Sequence, residues 1–114
     1  MPNKKFYILC LTIFMVAAVA GAQISQTGNL NGAVTDKDMQ PLPGVTVTIK
    51  SPALILPQME MLTTEAGHFR FPALSPGLYS VTFKLQGFKT LVREGIRVNV
   101  GITTTVDASL EMSP

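Results

Sequence analysis

From residue 30 onward the chain alternates apolar and polar residues, and glycine or proline breaks the alternation at short intervals. The interruptions read Asn31-Gly32, Pro41-Leu42-Pro43-Gly44, Glu65-Ala66-Gly67, Ser75-Pro76-Gly77 and Gln86-Gly87. A period of two buries one face of a strand and wets the other, while glycine and proline suit the reversals between strands. The pattern predicts an all-β fold, a sandwich of seven to eight antiparallel strands. No helical stripe competes with it after residue 22.

Strands are expected near 30–35, 44–50, 59–64, 68–72, 78–85, 88–93, 95–100 and 103–111. Val45, Val47 and Ile49 share an inward face, as do Phe69 with Phe71. Tyr79, Val81, Phe83 and Leu85 form a third inward set, Ile96, Val98 and Val100 a fourth, and Val106, Ala108 and Leu110 a fifth. Facing across two sheets about 10 Å apart, these sets would supply the core. At about 1.5–3 kcal/mol per large apolar side chain, they dominate the folding energy.

The segment Ser51-Pro52-Ala53-Leu54-Ile55-Leu56-Pro57 sets four apolar residues between two prolines. Proline lacks the ladder donor, so the segment is not a central strand. It either folds over one end of the sandwich and closes the core, or projects an apolar patch of the kind that marks a contact site. On the second reading Leu54, Ile55 and Leu56 are candidate partner contacts, together with Phe88.

The first 22 residues follow a different rule. Lys4 and Lys5 precede an uncharged run from Phe6 to Ala20, and Ala20-Gly21-Ala22 offers small residues where a signal peptidase reads. Residues 1–22 are therefore expected to be a helical signal peptide, cleaved between Ala22 and Gln23. The run is shorter than the roughly 20 residues that cross a bilayer, and no basic stop-transfer cluster follows, so no stable membrane span is expected after cleavage. Cys10, the one cysteine, lies inside the run rather than at its end, which argues against a lipoprotein. The mature chain then holds no cysteine and no disulfide.

Cleavage also removes the apparent basic balance. Nine Lys and Arg stand against seven Asp and Glu, and losing Lys4 and Lys5 leaves seven of each sign. A neutral domain has no electrostatic footprint for nucleic acid or anionic lipid. Residues 23–29 read as a polar flexible lead and 30–112 as one domain.

Five short motifs, in order, resemble the carboxypeptidase regulatory-like family: Gly32-Ala33-Val34-Thr35-Asp36, Pro41-Leu42-Pro43-Gly44-Val45, Gly67-His68-Phe69, Leu74-Ser75-Pro76-Gly77-Leu78-Tyr79 and Gly87-Phe88. The resemblance implies a transthyretin-like sandwich, related to Cna B-type and starch-binding-like modules. Ser51-Pro52-Ala53-Leu54 and the stretch from Gly87 to Glu111 are similar to the amino-terminal extension of Oar-like TonB-dependent outer-membrane receptors. Glu65 stands where the family often has Asp, which weakens any thought of a turn-bound cation.

Little in the chain points to chemistry. His68 is the one histidine and alternates outward beside Arg70, without the further ligands zinc requires. Asp36 and Asp38 flank Lys37 in a turn composition rather than a calcium loop. Lys50 and Asn99 would be the pair for the internal isopeptide bond of related B-type modules, yet both fall on outward faces. No catalytic residue, metal or cofactor is expected.

Glycan binding is the alternative, since the starch-binding-like fold is shared. Sugars stack on exposed aromatics, but the mature chain has no Trp, one inward Tyr79, and only Phe88 as an outward candidate. The expected function is that of a non-catalytic interaction or spacer module, exported to the periplasm, the outer membrane or the medium. Its expected partner is an envelope protein or outer-membrane receptor, with a glycan as the alternative. The chain would be a stand-alone relative, an accessory or a truncated receptor.

Overall fold

The computed structural model describes residues 26–114, so the signal segment, its Ala22–Gln23 cleavage point and Cys10 lie outside the described residues. Eight strands follow in order: β1 (Gly28–Asp36), β2 (Thr46–Lys50), β3 (Met59–Leu62), β4 (His68–Leu74), β5 (Gly77–Lys84), β6 (Leu91–Val98), β7 (Thr103–Thr105) and β8 (Ala108–Leu110). One sheet holds β4, β1 and β7, with β8 also on β1; the other runs β3-β2-β5-β6.

Two of the pairings are parallel. Asn29–Asn31 of β1 match Thr103–Thr105, and Val34–Asp36 match Ala108–Leu110. The sequence pattern predicts antiparallel neighbours throughout, and chain parity explains the difference. Short links reverse the chain at nearly every step, so odd-numbered strands from β1 to β7 all point the same way. β4 on β1 and β5 on β2 join odd to even and are antiparallel. β7 on β1 joins odd to odd, and only a parallel ladder is open to it, while β8 follows β7 after two residues without a reversal and so is parallel to β1 as well.

The expected inward residues form the core. Val45, Val47, Ile49, Phe69, Phe71, Tyr79, Val81, Phe83, Val98, Val106, Ala108 and Leu110 are buried, joined by Leu30, Val34 and Leu74. Phe69 meets Phe71 edge-on at 6.2 Å and reaches across the sandwich to Phe83 at 5.6 Å. The buried Tyr79 donates its hydroxyl to the Ser75 carbonyl at 2.6 Å, satisfying the one polar atom of that ring. Thr63, a buried polar residue, donates to the Leu42 carbonyl at 2.6 Å and accepts from the Val45 amide at 2.9 Å.

Several expectations need correction. Val100 is half-exposed, because β6 ends at Val98 and a turn follows. Leu85 and Ile96 are only partly buried against the core. The segments 88–93 and 95–100 are one strand, β6, with an extra residue where Tyr79 and Val81 pair with Ile96 and Arg93. The segment 103–111 is two strands, parted where Asp107 Oδ1, in place of a carbonyl, accepts the Ala33 amide at 3.1 Å. β1 begins at Gly28, inside the expected lead, and Asn29 Oδ1 accepts the Ala73 amide at 3.1 Å. The Gly67 turn is tight, with its amide donating to Thr64 O at 2.8 Å, but β3 and β4 belong to opposite sheets, so it is a corner rather than a hairpin.

Gly32 is no turn residue. It sits inside β1, where an added Cβ would strike the Val106 carbonyl and come within 2.8 Å of the Phe69 ring. Gly44 differs: its φ is +74°, and a Cβ there would meet nothing within 4 Å.

Gly32→Ala is expected to destabilise the domain by about 2–3 kcal/mol, a fall in Tm of about 10–20 °C. Gly44→Ala should cost about 1–2 kcal/mol, the left-handed penalty alone. Thermal melts of both variants check the order. Burial raises the Tyr79 pKa above its ordinary 10.0. The folded state therefore holds this proton after the unfolded chain has released it, so the contribution is whole below pH 10 and declines as pH rises past it. Denaturant titrations between pH 8 and about pH 11 should show that decline, and Tyr79→Phe should lessen it.

Candidate functional site

Polar side chains of the described residues mostly serve the fold. Asp36 Oδ1 accepts the amides of Asp38 at 2.8 Å and Gln40 at 2.9 Å, so the Asp36 carboxylate closes the loop locally. Asn31 Oδ1 accepts from Thr105 Oγ1 at 3.2 Å, tying β1 to β7. His68 is exposed on β4, and no group of three His, Cys, Asp or Glu able to hold a metal occurs among the described residues. Lys50 and Asn99 are both exposed, at the end of β2 and just after β6. Lys89 and Glu111 approach to 3.8 Å in the open, a contact worth little.

The Pro-bracketed loop divides between its two readings. Ser51 Oγ donates to the Leu78 carbonyl at 2.5 Å and accepts the Ala53 amide at 3.1 Å, which fixes the start of the loop on β5. Leu54 then packs, partly buried, against the core. Ile55 is fully exposed and Leu56 is 60% exposed. Phe88 is also partly buried against the core, its segment bridged to Met112, so its ring is no open platform.

Two shallow grooves lie on the side where β3 and β4 form the sheet edges. One, of about 330 Å³, is lined by Leu54, Ile55, Leu56, Met59, Ala73 and Leu74. The other, of about 540 Å³, includes Met61, Leu62, Thr64, His68, Phe69 and Arg70 in its walls. Met61 and Leu62 are 43% and 65% exposed. Ile55 and Leu56 on the loop, and Met61 and Leu62 on β3, are thus apolar residues exposed to solvent. A third depression, of about 470 Å³, lies over β5 and brings Lys50, Ser51, Ser80 and Glu94 together around Leu78. The sequence pattern locates β3 but not its role, since Met59-Glu60-Met61-Leu62 carries apolar residues on both faces and gives alternation nothing to sort.

Comparison with known proteins agrees with this architecture. The family model for the carboxypeptidase regulatory-like domain matches residues 29–111. The TonB-dependent transporter Oar of Myxococcus xanthus is 32% identical over 90 residues, covering 78% of this chain and 8% of the transporter. The chain thus spans less than a tenth of that relative. Among solved structures, the TIE protein of Bacillus anthracis has a TM-score of 0.66 at 20% identity, over 76% of this chain and 17% of that one. A candidate carbohydrate binding protein from Bacteroides uniformis gives 0.61 at 13%, over 75% and 41%. A 3-chlorocatechol 1,2-dioxygenase from Rhodococcus opacus gives 0.57 at 13%, over 80% and 62%. At such identities the structures share the fold alone. The sandwich, its motif order and the match across nearly all described residues place this chain in the carboxypeptidase regulatory-like domain family.

Proposed function

We propose that the domain is a non-catalytic interaction and spacer module of the cell envelope, used as the leading domain of a larger transporter would be. The observation that carries this reading is the division of labour among its side chains. Asp36, Asp107, Asn29, Thr63 and Ser51 bond backbone groups of the domain itself, which leaves no converging set for chemistry among them. Apolar residues at the loop tip and on β3 face water instead. Exposed apolar surface supports a role in contact rather than turnover. The kinship with a TonB-dependent transporter supports the envelope, and the signal-like sequence up to Ala22 supports export to the periplasm or beyond. An envelope protein or outer-membrane receptor is the partner this reading calls for.

The likeness to a candidate carbohydrate binding protein favours a glycan as a second reading. Against it, Phe69, Phe71, Tyr79 and Phe83 are buried and Phe88 is partly covered, so none offers a free face to a pyranose.

Leu54 and Ile55 separate anchor from contact. Leu54→Asp should lower stability by about 2 kcal/mol or more, since it sets a carboxylate against the core. Ile55→Asp should change stability by no more than about 0.5 kcal/mol while reducing capture of envelope proteins in a pull-down. Equal melts for the two variants would remove the anchor assignment. Titration with starch and chitin oligomers should show no binding; saturable binding would bring the glycan reading forward.

A further inference from the structure

Among the described residues one sheet has its edges at β4 and β7–β8, and the other at β3 and β6. Exposed edges invite foreign strands, and proteins discourage this with charge, proline, bulges or brevity. β4 carries His68, Arg70 and Pro72, and its register shifts opposite Asn29. β6 carries Arg93, Glu94 and Arg97 and has its own shift. β7 and β8 are three residues each. β3 has no proline, no basic residue and no break in register, and Met61 and Leu62 stand exposed on it.

The ladder phase shows what this edge offers. The Thr63 amide donates to the Val45 carbonyl at 3.0 Å, which makes Val45 and Thr63 a hydrogen-bonded pair. Antiparallel pairs alternate, so Val47 with Met61 and Ile49 with Met59 are hydrogen-bonded too. The amides and carbonyls of Glu60 and Leu62 therefore point away from β2 and are open to another strand.

Glu60 is the only charge on β3; its Oε1 accepts from Gln58 Nε2 at 3.2 Å, and it has no salt bridge among the described residues. A second copy of this edge does not complement it. Antiparallel self-pairing with matched faces, centred on Glu60, opposes two carboxylates. Centred on Met61, it sets each Glu60 against the other copy's Leu62. A strand with a cation opposite Glu60 satisfies the charge, and apolar residues on either side of that cation meet Met59 and Met61, each beside one of the two grooves.

We infer that β3 is a docking edge that takes an extended segment of another protein as an added strand, with Lys or Arg opposite Glu60 and apolar residues flanking it. This rests on the reading of the domain as an interaction module and names the surface and chemistry it would use.

Two short fluorescein-labelled peptides test it, each alternating valine and threonine, one with a central lysine in place of threonine and the other with a central glutamate. The purified protein should bind the lysine peptide about two- to five-fold more tightly. Glu60→Lys should reverse the preference. Glu60→Pro removes an outward amide and no bond to β2, so it should abolish binding of both peptides with little change in the melt. Failure of both peptides to bind, an unchanged preference in Glu60→Lys, or intact binding by a folded Glu60→Pro overturns the inference. Envelope-protein capture undiminished by Glu60→Pro overturns the edge alone and leaves the module reading standing. A wild-type protein that captures nothing and binds neither peptide overturns both.

Discussion

The bare backbone of Gly32 is the point on which the sandwich closes. Three elements converge there: β1 itself, the Val106 carbonyl from the segment between β7 and β8, and the Phe69 ring from β4. The same ring crosses to Phe83 in the opposite sheet, so one missing side chain sets both the approach of the last strands and the packing between layers. The Val106 amide donates to the Asn31 carbonyl at 2.8 Å, and this bond holds the approach in place. Interiors packed to crystal-like density do not yield to an added methyl group by small adjustments. Closing the β1 edge depends on this contact, and with it the burial of Val106, Ala108 and Leu110.

Much of this is legible in the sequence. Alternation sorts Val47, Ile49, Tyr79, Val81 and Phe83 correctly because each lies within β2 or β5, where a period of two is the whole geometry, and Val45 keeps the phase of β2 just before it. It failed at Val100, where the strand had already ended. It also missed the direction of β7 and β8, because pairing between chain-distant strands is set by the number of reversals between them. Gly32 illustrates a subtler limit. Sequence presents glycine as freedom to turn, whereas here it is absence of volume, and only the neighbours reveal the difference. The carboxypeptidase regulatory-like motifs were visible in order, and they carried the family assignment.

The candidate contact surface was half visible. The two prolines around Ala53–Leu56 marked the loop, but which of its residues turned back to the core depended on Ser51 fixing the loop to β5. Phe88 looked free in the alternation and is partly covered by the fold. Alternation does not single out Met61 and Leu62, because a four-residue segment with apolar side chains on both faces resembles any short buried strand. What distinguishes them is that no strand lies beyond β3 among the described residues, a property of topology that no local pattern records.

Parallel pairing of β1 with β7 and β8 also sets the start of β1 and the end of β8 at opposite ends of one ladder. β1 begins at Gly28 and β8 ends at Leu110, which lies beside Asp36 at the far end of the same strand, while Glu111 and Ser113 stay bonded to Lys89 and Gly87. Across nine residues those two points are separated by roughly 27 Å. A pull applied at the two ends would drag β1 lengthwise against β7 and β8, stressing their rungs together rather than unzipping them in turn. The topology that closes the sandwich also gives it the geometry of a link in a chain under tension.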